Sequence, residues 1–176
     1  MSIFKLLYPK LYVSTLFDIN VDSLYEAGIR GILFDLDNTI IPRNADEFSV
    51  EVSSWLKEIR SRNFKVCIVS NNNAKRVSKL AGELDLPAIC YAIKPRRKPF
   101  RQAFKLLGTC PEQTAVVGDQ VFTDILGGNR LGMFTILVAP MNGKEFWATR
   151  LISRQLEKIV LNIFKKKSIY TERRQK

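Results

Sequence analysis

Five short apolar runs, four of them leading into polar residues and each separated from the next by a stretch with helical spacing, constrain this chain more than any other feature. They are GILFDL (31–36), KVCIVS (65–70), AICYA (88–92), TAVVGD (114–119) and FTILVA (134–139). Runs of this length that stay apolar at successive positions read as strands buried on both faces, the habit of parallel sheets. Between the first two, Phe48, Val52, Trp55, Leu56 and Ile59 recur at helical spacing. Helical stretches follow near 73–84, 98–108 and 121–131, the first entered through an Asn-rich cap and the second closed by Gly108. The alternation predicts an α/β fold: a doubly wound, three-layer α/β/α parallel sheet whose ligand site lies outside the carboxyl ends of its strands. The spacing also predicts a last helix over about 145–164, with Phe146, Leu151, Ile152, Leu156, Ile159, Val160 and Ile163 on its apolar face. One domain over 1–164 and a basic tail over 165–176 complete the expected organisation.

Histidine is absent from all 176 residues, which excludes Ser-His-Asp hydrolysis, histidine relays and the usual zinc hydrolase ligand sets. Chemistry is left to carboxylates, Lys, Ser or Cys. The three cysteines, Cys67, Cys90 and Cys110, lack CxxC spacing, so neither a disulfide framework nor a zinc ribbon is expected, and a reducing, cytoplasmic compartment fits. Net charge is +11, concentrated in two places. Residues 94–105 contribute Lys94, Arg96, Arg97, Lys98, Arg101 and Lys105 without an acid, and residues 144–176 carry ten basic residues against Glu145, Glu157 and Glu172. Two basic patches on a near-neutral body point to anionic partners: nucleic acid, a phosphorylated substrate or an anionic lipid surface. The opening MSIFKLLYPKLYVSTLF lacks a signal-peptide pattern, and no run approaches the roughly 20 apolar residues that cross a bilayer. Association with a membrane is thus expected to be peripheral at most. Core packing of Ile3, Phe4, Leu6, Leu7, Leu11 and Tyr12 is favoured over lipid contact by this segment.

Four strand ends carry polar groups. Asp35-Leu36-Asp37-Asn38-Thr39 follows the first run, where two carboxylates at i and i+2 can converge on one point; a solvated turn is the bland alternative. Ser70 precedes Asn71, Asn72 and Asn73, whose hydroxyl and amides suit an oxyanion or, more simply, a helix cap. Lys94-Pro95 follows the third run, with Lys98 four residues later. Gly118-Asp119-Gln120 and then Asp124 follow the fourth, where acids beside a permissive glycine can hold a hard cation such as Mg²⁺.

In this order the motifs DLDNT, VSN, KP and GDQVFTD resemble the haloacid dehalogenase (HAD) superfamily of phosphatases, over about residues 31–140. GDQVFTDILGGNRLGM is most similar to the YqeG-like, phosphatidylglycerophosphate phosphatase branch of subclass IIIA. The resemblance implies that Asp35 is the nucleophile forming an aspartyl-phosphate and Asp37 the general acid and base. It implies that Ser70 and Lys94 hold the transferring phosphoryl group, with Thr39 and Asn71 at the substrate. Asp35, Asp37 through its backbone carbonyl, Asp119 and Asp124 would make the Mg²⁺ site. Lys94 fits the KP-x-x-x-x-F pattern with Phe100; Lys98-Pro99 is the alternative if the loop is shifted. The implied reaction is hydrolysis of a phosphomonoester, with phosphatidylglycerophosphate as the leading substrate.

Only about 25 residues separate the first motif from the strand leading to Ser70, and the interval to Lys94 is equally short, leaving no room for a cap domain. An uncapped site suits a phosphate on a large molecule or a membrane surface, and Arg96, Arg97 and Lys98 sit beside it as candidate contacts to an anionic substrate. Two other readings compete. Cys90 and Arg96 outline a C-x5-R cysteine-phosphatase loop, but the intervening Tyr91 to Pro95 offer no glycine to wrap phosphate. A non-enzymatic nucleic-acid-binding module would use the net charge, yet no RRM, KH or zinc-finger signature is present, so no specific nucleic acid is expected.

Overall fold

The computed structural model describes residues 3–141, so the expected helix at 145–164 and the tail at 165–176 lie outside the described residues. Six strands form one parallel sheet: β1 (Leu11–Val13), β2 (Gly31–Phe34), β3 (Lys65–Val69), β4 (Ala88–Ile89), β5 (Thr114–Gly118) and β6 (Phe134–Val138). Their order across the sheet is β1-β6-β5-β2-β3-β4, and every pairing is parallel. From central β2 the chain moves outward to β3 and β4, then returns to β5 on the other side. The strand order therefore reverses between β2 and β5, which is where open parallel sheets place their ligands.

Alternation along the strands divides the core in two. Ile32 and Phe34 of β2, Val66 and Ile68 of β3, and Ala115 and Val117 of β5 face one side. There they meet Leu24 of α1 (Val21–Glu26), Val52, Leu56 and Ile59 of α2 (Val50–Ser61), and Val77, Leu80 and Ala81 of α3 (Ala74–Glu83). Leu33, Cys67, Val69 and Val116 face the other side, under Phe100, Ala103, Phe104 and Leu107 of α4 (Arg97–Leu107). Because both faces are covered, the strands of the sheet's interior are apolar apart from Lys65, Thr114 and Thr135, and this is why the runs were legible. Each large side chain so buried contributes about 1.5–3 kcal/mol of transfer free energy. Helix entries follow the expected chemistry: the side chains of Ser49 and Asn73 accept from the backbone N–H of Val52 and Arg76, capping α2 and α3. Gly108 closes α4 in the left-handed region, at φ 59°.

Four expectations change in detail. The sheet has six strands instead of five, because Leu11–Val13 adds an edge next to β6, with Lys10 N–H donating to Thr135 O and Ala139 N–H to Val13 O. Within the N-terminal segment Val13 and Leu16 enter the core, while Tyr12 stays exposed. The run at 88–92 keeps only Ala88 and Ile89 in the ladder, because Tyr91 takes a left-handed backbone (φ 48°) that turns the chain out of it. The helix expected at 121–131 is a π-helical turn, Val121–Ile125, followed by the short α5 (Leu126–Asn129). No cap domain interrupts the sheet among the described residues, and none of their helices is long and apolar enough to cross a membrane.

Candidate active site

Asp35 leaves the end of β2 with its backbone N–H donated to Val117 O of β5, which fixes the carboxylate between the two central strands. Lys94 reaches it from the loop after β4: Nζ lies 2.6 Å from Asp35 Oδ1 and 2.7 Å from Asp124 Oδ1. The lysine side chain is 2% exposed and that of Asp124 is fully buried. The π-helical turn brings Asp124 back over β5. A Cβ placed on Gly118 would sit 2.3 Å from Asp124 Cγ, so no other residue permits this approach. Asp124 Oδ2 also accepts from Thr123 Oγ1 at 3.2 Å and Gln120 N–H at 3.4 Å.

Asp119, buried at the end of β5, completes the group, since Asp35, Asp119 and Asp124 each bring a carboxylate oxygen within 4.8 Å of the others. Three carboxylates and one ammonium leave a charge of about −2 in a dry pocket, which is costly unless compensated. Burial accordingly pushes Asp35 from 3.8 up to about 6, a rise that Asp124 adds to and Lys94 opposes. Burial works against the charge on Lys94 too, but Asp124 and Asp35 outweigh it and hold its pKa above the ordinary value. An all-oxygen donor set with two excess negative charges fits a hard divalent cation. A divalent cation binds only the ionised carboxylates, so Mg²⁺ is expected to raise the melting temperature by roughly 5 °C near pH 7.5. The shift should vanish by about pH 5, below the raised Asp35 value, because a proton then competes for the same oxygen. A shift of equal size at both pH values would mean the cation binds elsewhere.

Asp37 is not one of that group and is held in a clamp of its own. Asn72 Nδ2 donates to Asp37 Oδ2 at 3.0 Å, and Arg76 Nη2 and Nε approach Asp37 Oδ1 at 3.3 and 3.4 Å. Arg76 also pairs with Asp46 at 3.1 Å, and Lys79 Nζ donates to Asp46 O, so α3 fastens the loop that follows Asp37. The sequence singles out the Asn71–Asn73 run but not Arg76. Its signal was position alone, in the first turn of a helix that starts at a strand's carboxyl end. Directly after Asp37 the chain turns through Asn38 at φ 61°, and the buried Asn38 Oδ1 and Thr39 Oγ1 have no hydrogen-bond partner among the described residues.

Ser70 is buried at the end of β3, and its Oγ accepts from Asn72 N–H at 3.1 Å. Asn71 Oδ1 accepts from Lys94 N–H at 2.8 Å, so this residue anchors the lysine's backbone as well as facing solvent. Arg96, Arg97 and Lys98 are exposed at the start of α4, outside the buried cluster. In the Cys90 to Arg96 loop, Tyr91 and Ala92 donate their N–H groups to Asn72 O and Ser70 O, Lys94 donates to Asn71, and Pro95 has none. Those amides cannot cradle a phosphate, so the cysteine-phosphatase reading has no physical basis.

Comparison with known proteins shows the family and the fold. A family model described as mitochondrial PGP phosphatase matches residues 1–141. The chain is 37% identical over 163 residues to the probable phosphatase YqeG of Bacillus subtilis (strain 168), covering 93% of this chain and 94% of that protein. It is 25% identical over 171 residues to the chloroplastic/mitochondrial phosphatidylglycerophosphate phosphatase 1 of Arabidopsis thaliana, covering 90% of this chain and 47% of the relative. Among solved structures, the cobalt-bound deoxy-D-mannose-octulosonate 8-phosphate phosphatase of Haemophilus influenzae superposes with a TM-score of 0.53 at 16% identity, over 64% of this chain and 69% of that one. A HAD phosphatase of Thermococcus onnurineus gives 0.51 at 17% identity, over 67% and 90%. The sheet, the four polar strand ends and these matches together make the chain a HAD-type phosphatase that belongs to the YqeG-like PGP phosphatase family.

Proposed function

We propose that the protein removes the terminal phosphate of phosphatidylglycerophosphate in a Mg²⁺-dependent reaction through an aspartyl-phosphate. The observation that carries the chemistry is the buried Asp35–Lys94–Asp124 arrangement with Asp119 beside it. Support for the lipid comes from the relatives, two of which are named phosphatidylglycerophosphate phosphatases, and from the absence of a cap over the described site. Asp35, Asp119 and Asp124, with the backbone carbonyl of Asp37, would hold Mg²⁺, which supplies positive charge against the phosphoryl oxygens.

In the first step an Asp35 oxygen attacks phosphorus, the bond from phosphorus to the glycerol oxygen breaks, and Asp37 gives its proton to that oxygen. In the second, Asp37 takes a proton from water, the water oxygen attacks phosphorus, and the bond to Asp35 breaks to release inorganic phosphate. Lys94 and the Ser70 hydroxyl hold phosphoryl oxygens as charge develops on them. Asn72 and Arg76 orient Asp37 in the resting site. Thr39 Oγ1, buried and without a partner among the described residues, is a further candidate donor to the substrate.

The test is phosphate release from phosphatidylglycerophosphate in vesicles, with Mg²⁺ and with chelator. Metal-dependent release supports the reading. Turnover of a soluble aryl phosphate without release from the lipid would keep the phosphatase and overturn the substrate.

A further inference from the structure

The loop between β4 and α4 has a feature that catalysis does not require. Tyr91 and Ile93 are 62% and 56% exposed, while Ala92 and Lys94 between and after them are buried. The alternation is imposed. Tyr91 N–H donates to Asn72 O, Ala92 N–H to Ser70 O and Lys94 N–H to Asn71 Oδ1, so the loop is pinned to the end of β3 with its apolar side chains outward. Both exposed residues also sit in the left-handed region, at φ 48° for Tyr91 and φ 53° for Ile93. For a β-branched side chain that conformation is a genuine outlier, and glycine or asparagine would occupy it at lower cost. Large apolar groups are thus held in water on strained backbone, within three residues of the buried lysine.

The flanking charge says what covers them. Arg96, Arg97 and Lys98 follow at once, all exposed, and Arg101 and Lys105 continue along α4. No acid occurs between Asp85 and Glu112, and none of the three leading cations makes an ion pair among the described residues. They crowd the start of α4, the positive end of the helix dipole, where cations are disfavoured unless an anion arrives. Apolar tips bordered by unpaired cations match an anionic bilayer, with acyl chains beneath and phosphates at the level of the charges.

We infer that this loop seats the enzyme on an anionic membrane, with Tyr91 and Ile93 entering the interface and Arg96, Arg97 and Lys98 resting on lipid phosphates. The orientation would bring Lys94 and the carboxylates over the headgroups. The inference deepens the phospholipid reading and rests on it for its biological sense, but vesicles free of phosphatidylglycerophosphate test it separately. Co-sedimentation with vesicles of about one-third phosphatidylglycerol in phosphatidylcholine is compared for the full chain and for a Tyr91→Ser, Ile93→Gly double variant. The expected result is at least about tenfold weaker partitioning of the variant, with turnover of a soluble aryl phosphate and melting temperature retained. Residues 144–176 are common to both proteins, so the difference reports the loop. Equal partitioning of the two would overturn the inference, as would undiminished binding of the full chain to pure phosphatidylcholine. An Ile93→Trp variant gives an independent reading: its added fluorescence should shift to the blue and be quenched by lipids brominated in their acyl chains. An unshifted, unquenched signal on bound protein would also overturn it. Loss of binding in the double variant together with no release from the lipid substrate by the full chain, which does bind, would sink the substrate assignment alone.

Discussion

Asp35→Asn is expected to lower kcat on any phosphomonoester by at least about 10⁴-fold while leaving the metal-free protein as stable as the wild type or more so near neutral pH. The two halves have different causes. An amide oxygen cannot form the acyl phosphate, so the two-step route is lost whatever the substrate. Stability moves the other way because the ionised Asp35 is held in the fold against its preference. Its pKa of about 6 exceeds the 3.8 of the unfolded chain, so the contribution of its neutral form is fully present below 3.8 and is lost as pH rises through 6. Above that, keeping the charge costs on the order of 3 kcal/mol, part of which the asparagine regains while giving up the ion pair to Lys94. The stability difference should therefore open in favour of the variant between about pH 4 and pH 7, as read from denaturant melts in chelator. Residual turnover within tenfold of the wild type would exclude Asp35 as the nucleophile. A variant less stable than the wild type at every pH would mean its carboxylate is structural.

The fold was legible because parallel strands covered on both faces leave continuous apolar runs, and the candidate site was legible because four of the five runs lead into carboxylates, a hydroxyl or a lysine, which parallel strands bring to one end of the sheet. What escaped was set by contacts distant in sequence or by local backbone. Leu11–Val13 is only three residues long and becomes a strand through pairing with β6, more than a hundred residues away. Arg76 lies 39 positions from the Asp37 it clamps, on a helix whose pattern shows only its buried face. The π-helical turn has no periodicity of its own over five residues. It arises where Asp124 must close on Gly118, and Gly118 with Asp124 carried that information as a pair. Exposure of Tyr91 and Ile93 was invisible for the opposite reason: apolar residues after a strand read as its continuation, and only the left-handed backbone turns them outward.

Lys94→Met should give the largest loss of stability among single changes at the site, and it separates the two lysines that the sequence left as alternatives. The ammonium lies between Asp35 and Asp124 with almost no access to water. Removing it leaves three neighbouring buried carboxylates with no cation among them, and breaking a buried pair from one side costs about 3–5 kcal/mol. The loss should be greatest in chelator above about pH 7, and smaller near pH 5, where Asp35 holds a proton. Mg²⁺ should restore part of the stability, since a dication can offset the same carboxylates, but not the turnover. Phosphoryl oxygens would still lack their ammonium partner, so kcat should remain down by roughly 10²–10⁴-fold. Lys98→Met removes an exposed charge and should change stability by less than about 0.5 kcal/mol. Should Lys98→Met instead cause the larger fall in kcat on a soluble aryl phosphate, the phosphate-holding role would pass to Lys98. The buried Lys94 would then be a counter-ion that keeps the empty carboxylate cluster folded, and its replacement would be rescued in full by metal.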